Sequence, residues 1–319
     1  MSIEHIKVSN GEIDLHVAVQ GQGPVVLCVH GWPELWYSWR HQMSGLSEAG
    51  FRVAAMDVRG YGASSKPHPI ESYSLRNLAG DVSAVARALS DDPVAIVGHD
   101  WGAPIVWNTA LLHPDVIGAV AGLSVPYMPA SPAPASMLRD IYKGRFFYQT
   151  YFQAEGVAEA ELEADVRLAL RKIYYALGGQ AEVDTWIAQK PEDANLLDSL
   201  TNPDPFPVWM SELDLDVYTE AFAAGGFRGP LNRYRAGSVD RKDVGEALMG
   251  RKIQQPACFI AGERDAVRHF VPGNDLYAQP GAGCEDLRGS TIIDGVGHWV
   301  QQEAPEATNA ALLAFLRSL

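Results

Sequence analysis

The 319-residue chain is short of cysteine, of basic residues and of long apolar runs. Its three cysteines, Cys28, Cys258 and Cys284, form no paired disulfide framework, and none stands at a metal-site spacing. Cys28 and Cys258 fall inside apolar runs, where a thiol serves as a small hydrophobe. With 25 Lys and Arg against 39 Asp and Glu, for a net charge of −14, the chain lacks the basic patches that a nucleic acid or an anionic membrane surface requires. Its acidic surface serves solubility. No apolar stretch approaches the roughly 18 residues of a membrane span, and the start, Met1-Ser2-Ile3-Glu4-His5-Ile6-Lys7, has no apolar signal-peptide core. A reduced, cytoplasmic protein without nucleic-acid or membrane partners is the expectation. The turn Gly60-Tyr61-Gly62 lacks the third glycine of a dinucleotide fingerprint. His5, His16, His41, His68, His113 and His269 show no ligand pattern. Neither a metal nor an organic cofactor is expected.

What is present is an alternation of strands and helices. Residues 4–8 and 14–19 alternate apolar and polar, as half-exposed antiparallel strands do. Val25–Val29 and residues 53–56 are continuously apolar and read as buried parallel strands. Further strands are expected at 94–97 and Ile117–Leu123. Helices are expected at 36–49, stopped by Gly50, and at 74–89, where Leu75, Leu78, Val82, Val85, Ala86 and Leu89 share a face. Such alternation gives an α/β fold, a mostly parallel sheet with helices on both faces and ligands bound at the carboxyl ends of the strands.

From Tyr127 the pattern changes. Aromatic clusters (Phe146-Phe147-Tyr148, Tyr151-Phe152, Tyr174-Tyr175) and helical periodicity run to about Val244, with a Pro-rich joint at Asn202-Pro203-Asp204-Pro205-Phe206-Pro207. Residues 159–177 read as one helix, acidic early and basic late, ended by Gly178-Gly179. Ser211-Glu212-Leu213-Asp214 looks like a capping box opening another. Residues 127–244 are therefore expected to form an all-helical lid inserted between the parts of a core domain, 1–126 and 245–319. The lid's aromatics would line either a pocket or an interface, which leaves a homodimer open. The sheet pattern resumes with strands at 257–261 and 291–294 and a final helix near Pro305–Leu316.

The chemistry centres on Gly98-His99-Asp100-Trp101-Gly102, which joins the apolar run 93–97 to the apolar helical stretch 103–112. This is the strand–turn–helix setting of a nucleophile elbow, with glycines flanking a strained residue. Here the nucleophile is Asp, where most such elbows carry Ser. With a free pKa of about 3.9 a carboxylate is already an anion at neutral pH. It attacks an sp³ carbon and leaves an alkyl ester of the enzyme. Asp265, ending Gly262-Glu263-Arg264-Asp265, and His298, in Gly295-Val296-Gly297-His298-Trp299, follow later strands in the order nucleophile, acid, histidine. His298 would take a proton from the water that hydrolyses the ester, and Asp265 would hold the imidazole. Asp294 competes for the acid role but precedes the Gly-rich turn and reads as structural. In His30-Gly31-Trp32-Pro33 the Trp32 N–H, with that of Trp101, would form an oxyanion hole. The isomer of the bond before Pro33 is open. Asp57 and Arg59 read as structural partners of one another, and His99 as a packed side chain.

In this company, His30-Gly31-Trp32-Pro33-Glu34, Gly98-His99-Asp100-Trp101-Gly102, Gly262-Glu263-Arg264-Asp265 and Gly297-His298-Trp299 stand in an order that resembles the α/β-hydrolase-fold epoxide hydrolases over nearly the whole chain. Phe147-Tyr148-Gln149-x-Tyr151-Phe152-Gln153 and Phe227-Arg228-Gly229-Pro230-Leu231-Asn232-x-Tyr234-Arg235 are similar to the lid of the soluble members. The resemblance implies that Tyr148 and Tyr234 donate hydrogen bonds to the epoxide oxygen. Ring opening leaves an alkoxide that needs a proton, and a phenol of pKa about 10 is protonated at pH 7. The residues alone leave Tyr127, Tyr142, Tyr148, Tyr151, Tyr174, Tyr175, Tyr218 and Tyr234 open. The resemblance further implies binding roles for His30, Pro33, Glu34, Phe147, Gln149 and Trp299, with Glu34 orienting water or a proton path. Arg233 stands where vertebrate members carry Trp and is expected to face away from the pocket. The second domain of the vertebrate enzymes is lacking, which implies a stand-alone hydrolase of bacterial type.

The expected partners are a small epoxide and water, and the product a 1,2-diol. The alternative is a haloalkane or haloacid dehalogenase, which shares the Asp elbow and triad. Halide leaves as an anion, so such sites need N–H donors rather than paired phenols. A non-catalytic binding protein of the same fold usually loses a triad member, and this chain keeps all three.

Overall fold

Among the described residues, eight strands form one sheet in the order β1-β2-β4-β3-β5-β6-β7-β8. They are β1 (Glu4–Asn10), β2 (Ile13–Gly21), β3 (Val25–Val29), β4 (Arg52–Met56), β5 (Val94–His99), β6 (Ile117–Leu123), β7 (Ile253–Gly262) and β8 (Cys284–Ile293). The computed structural model describes residues 2–319 except 131–139, 183–184, 187–189 and 246. β2 runs antiparallel to both β1 and β4, and every pairing from β4 to β8 is parallel. β3 is buried along its whole length. Val25, Leu27 and Val29 enter one apolar cluster, and Val26 and Cys28 the other. That division follows from the two-residue period of a strand with both faces covered. The first cluster packs under the helices Leu75–Leu89 and Gly102–Leu112 through Leu78, Val82, Val85, Ile105 and Trp107. The second packs under Arg40–Glu48 and Pro305–Leu316 through Met43, Leu46, Leu312 and Phe315.

The chain reverses direction across the sheet at β3: β4 lies on one side of it and β5 on the other. Side chains beyond the carboxyl ends of β3 and β5 therefore converge in a crevice with no connection crossing it. Val29 pairs with Gly98, so the His30–Trp32 turn lies directly beside Asp100.

Between β6 and β7 the described residues are helical, with Tyr148–Tyr151, Val157–Ala164, Val166–Leu177, Glu212–Gly225 and Arg228–Arg235 as the main segments and a single bridge, Ala130 to Met249. They join the sheet through specific contacts. The Tyr174 hydroxyl donates to the Pro33 carbonyl at 3.0 Å, and the His298 N–H to the Leu177 carbonyl at 2.8 Å. The Arg233 guanidinium donates to the Tyr73 carbonyl and pairs with Asp240, whose carboxylate accepts the N–H of Leu75 at 2.6 Å.

Four expectations need correction. The helix expected over 159–177 is two, because Asp165 takes an extended backbone (φ −151°) and its carboxylate caps the second by accepting the Leu168 N–H at 2.9 Å. Aspartate serves better as an N-cap than inside a helix. The segment 36–49 opens as a 3₁₀ turn, Trp36–Trp39, before the α-helix Arg40–Glu48. β8 starts at Cys284, seven residues before the strand expected at 291. Arg59 pairs with Asp81 rather than Asp57, through two bonds of 2.7 and 2.8 Å. Asp57 instead accepts the N–H groups of Trp36 and Ala63 and the His16 ring. Among the described residues no helix is long and apolar enough to cross a membrane.

Candidate active site

Asp100 directly follows β5 with φ +49°, a left-handed conformation in which a non-glycine residue is strained. The flanking glycines are sterically required: a Cβ on Gly98 would strike the carbonyl of Gly102, and one on Gly102 the carbonyl of Val29. Gly31 makes the close approach from β3, since a Cβ there would strike the Asp100 side chain and lie 2.6 Å from the Trp101 nitrogen. The peptide before Pro33 is cis. In this turn the Trp32 N–H donates to Asp100 Oδ1 at 2.7 Å. The Trp101 N–H flanks the same carboxylate at the start of the helix Gly102–Leu112.

His298 lies between two carboxylates. Its Nδ1 is 3.0 and 3.1 Å from the oxygens of Asp265, and its Nε2 is 3.4 Å from Asp100 Oδ2. Asp265 is fully buried, with Oδ1 accepting the Val267 N–H at 2.9 Å and Oδ2 the Tyr277 hydroxyl at 2.8 Å. The ionised carboxylate only accepts, so Nδ1 carries a proton and Nε2 is turned to Asp100. Across from Asp100 stand Tyr148 and Tyr234, their rings edge-to-face with centroids 5.8 Å apart. A small cavity is lined by Trp32, Asp100, Tyr148, Leu177, Trp186, Tyr234, Val267, Phe270 and His298.

The model of the alpha/beta hydrolase fold matches residues 24–305. Epoxide hydrolase A of Mycobacterium tuberculosis is 41% identical over 99% of this chain and 98% of its own length. The solved structure of an epoxide hydrolase from an endophytic Streptomyces superposes with a TM-score of 0.94 at 42% identity, covering 99% of this chain and 96% of that one. Epoxide hydrolase A from Mycobacterium thermoresistibile superposes at 0.92 with 38% identity, over 100% and 99% of the two chains. The chain belongs to the epoxide hydrolases of the α/β-hydrolase fold.

Electrostatics distinguish the groups of this epoxide hydrolase fold. Burial pushes the His298 imidazole toward neutrality, but the Asp265 charge and hydrogen bonds to Asp100 and Asp265 outweigh it and hold the pKa well above the usual histidine value. Burial acts to raise the Asp265 carboxyl, yet His298 and the N–H and O–H donors keep it below the usual range. Burial, reinforced by the Asp100 charge, drives both Tyr148 and Tyr234 upward, so both phenols stay protonated. Gln149 donates to the Tyr148 oxygen at 2.9 Å, and the Trp101 side chain hydrogen-bonds Tyr234.

The other candidates stand behind the cavity wall. The His30 ring donates from Nδ1 to the Gly31 carbonyl and accepts the Val58 N–H at Nε2, which fixes the turn. Pro33 offers its carbonyl to Tyr174. Glu34, fully buried, accepts the Gly31 N–H, the His99 ring at 2.7 Å and the Gln301 amide at 2.8 Å. His99 in turn bonds the His298 carbonyl through Nε2 at 2.7 Å. Phe147 stacks on Tyr142 and backs Tyr148 edge-on. Trp299 packs against the His298 ring at 4.8 Å, its indole N–H on the Tyr174 carbonyl. Arg233 lies behind Trp101, its guanidinium 4.7 Å over that ring and outside the cavity lining.

Sequence reasoning missed Tyr277 and Ser124. The Tyr277 hydroxyl contacts Asp265 and lies 2.6 Å from the Ser124 carbonyl. Ser124 has φ +66° and donates from Oγ to the His298 carbonyl at 2.9 Å. The one available signal was the position of Ser124, directly after β6 at the same sheet edge. Leu177, Trp186, Val267 and Phe270 on the cavity wall also went unread.

Proposed function

We propose that the protein hydrolyses epoxides to vicinal diols in two steps, with Asp100, His298, Asp265, Tyr148 and Tyr234 as the reacting groups. The observation that carries this reading is an aspartate at a strained elbow facing, across one cavity, two phenols that burial keeps protonated. The Trp32 N–H holds Asp100 Oδ1, leaving Oδ2 to attack an epoxide carbon. The C–O bond breaks, its electron pair stays on oxygen, and a proton from Tyr148 or Tyr234 neutralises the alkoxide. Ester formation removes one of the two charges that hold the proton on His298; that proton passes to the phenolate, and the neutral imidazole becomes the base for the second step. It then takes a proton from water, and the hydroxide adds to the ester carbonyl. The N–H groups of Trp32 and Trp101 bear the tetrahedral oxyanion. The diol leaves with the former Asp100 oxygen and takes the proton of the added hydroxyl, which restores the Asp100 carboxylate and the protonated His298. A halide would leave unprotonated, so the paired phenols favour an epoxide over a haloalkane. Residues 127–244 act as the lid carrying both phenols, and residues 1–126 and 245–319 as the core carrying the triad.

Styrene oxide with enzyme in excess in H₂¹⁸O tests the scheme. One turnover is expected to place ¹⁸O in the peptide containing Asp100 and ¹⁶O in the diol. Diol formed with ¹⁸O and an unlabelled Asp100 would mean direct attack by water and would remove Asp100 from the role of nucleophile.

A further inference from the structure

Trp32 is 2% exposed and lines the cavity together with Asp100, Tyr148 and Tyr234. Its backbone N–H is committed to Asp100. Its indole N–H is a second donor in the same residue, and it is buried with no hydrogen-bond partner among the described residues. Around the indole, Phe152 lies at 5.2 Å between ring centroids, Tyr234 at 6.1 Å with its ring edge-to-face, and Trp186 at 6.5 Å. The two phenol oxygens already receive Gln149 and the Trp101 side chain. A shielded donor left unpaired is costly to the folded protein, and an acceptor brought in by a ligand recovers that loss.

We propose that the Trp32 indole N–H is a substrate-binding donor that selects epoxides whose substituent carries an acceptor oxygen close to the ring. The proposal rests on the epoxide hydrolase reading above. Tyr148 and Tyr234 serve the epoxide oxygen, and Trp32 serves a second oxygen on the same small molecule, as in a glycidyl ether. A pocket with an unpaired buried donor favours the ligand that brings an acceptor, because the analogue without one leaves the donor unpaired. An all-carbon epoxide of the same shape is therefore the poorer substrate.

The test compares methyl glycidyl ether with 1,2-epoxypentane, which differ by one oxygen in place of a methylene. kcat/KM for each is measured with the native protein, with Trp32→Phe, and with Trp32 replaced by 3-benzothienylalanine. The last keeps the bicyclic shape and removes only the N–H. The ether oxygen's effect on intrinsic ring reactivity is common to all three proteins and cancels in the comparison. The preference for the ether is expected to fall about three- to tenfold in both variants, the worth of one neutral hydrogen bond. If the variants hydrolyse both epoxides with the native preference unchanged, Trp32 is not a substrate donor, and the proposal falls while the epoxide hydrolase reading stands. If the native protein makes diol from neither these epoxides nor styrene oxide, the functional reading itself fails and takes the proposal with it. Should Trp32→Phe fail to fold, the benzothienyl variant decides alone.

Discussion

At His298 two steps of the reaction impose opposite demands on one side chain. Flanked by Asp100 and Asp265, it holds a proton in the resting protein, and in the proposed scheme it acts as a base only once Asp100 is esterified. His298→Gln keeps much of the volume but has no basic nitrogen. Ring opening, which uses Asp100 and the phenols, is expected to proceed in this variant, and ester hydrolysis to slow by about 10²–10⁴-fold. Intact-mass analysis after adding styrene oxide should show the protein heavier by one epoxide; rapid diol release without that adduct would contradict the role given to His298. Asp100, Asp265 and His298 were legible because each sits in a glycine-marked turn after a strand, a local pattern. Tyr277 and Ser124 were not, since the contact that matters joins residues 153 positions apart and leaves no local trace. The indole of Trp32 was overlooked for another reason: its backbone N–H explained the motif, and an unpaired donor appears only when every neighbour is placed.

Among elements, the elbow is a sterically closed joint. Gly102→Ala would press a methyl into the Val29 carbonyl, and backbone on both sides prevents relief. A loss of about 1–3 kcal/mol is expected from such overpacking. Gly80 offers the contrast. It lies inside the helix Leu75–Leu89, and a Cβ there meets nothing nearer than the Asn10 amide nitrogen at 3.7 Å. Gly80→Ala should stabilise by about 0.5–1 kcal/mol, because alanine is the better helix former. Urea titrations of both variants check the pair, and equal effects would mean that steric closure at the elbow is not what fixes Gly102. Helices and strands were legible where periodicity ran unbroken, as in β3 and Leu75–Leu89. The single helix read over 159–177 failed at Asp165, where one carboxylate bond to Leu168 outweighs an otherwise continuous pattern.

Across the whole molecule, the buried site links pH to stability. The helical segment between β6 and β7 meets the sheet at the loop carrying His298, where the His298 N–H reaches the Leu177 carbonyl and Glu303 accepts the N–H groups of Gly179, Gly297 and Trp299. Such joints were invisible in the sequence because the lid's own pattern says nothing of what it rests on. His298 has a folded pKa raised above its unfolded value of 6.5. Its contribution to stability is therefore complete below pH 6.5 and is lost as pH rises through the folded value. Asp265 has a folded pKa below its unfolded 3.8, so its contribution is complete above that pH and is lost as pH falls through the lowered value. Both describe one interaction, and it is fully developed between about pH 4 and 6.5. The difference in Tm between the native protein and His298→Gln should be widest in that window. It should narrow above it as the native imidazole deprotonates, leaving Asp100 and Asp265 as unpaired in the native protein as in the variant. Calorimetry from pH 4 to 10 reads this directly, and a Tm difference that is flat across the range would show that His298 is held by packing rather than by the charges on either side of it.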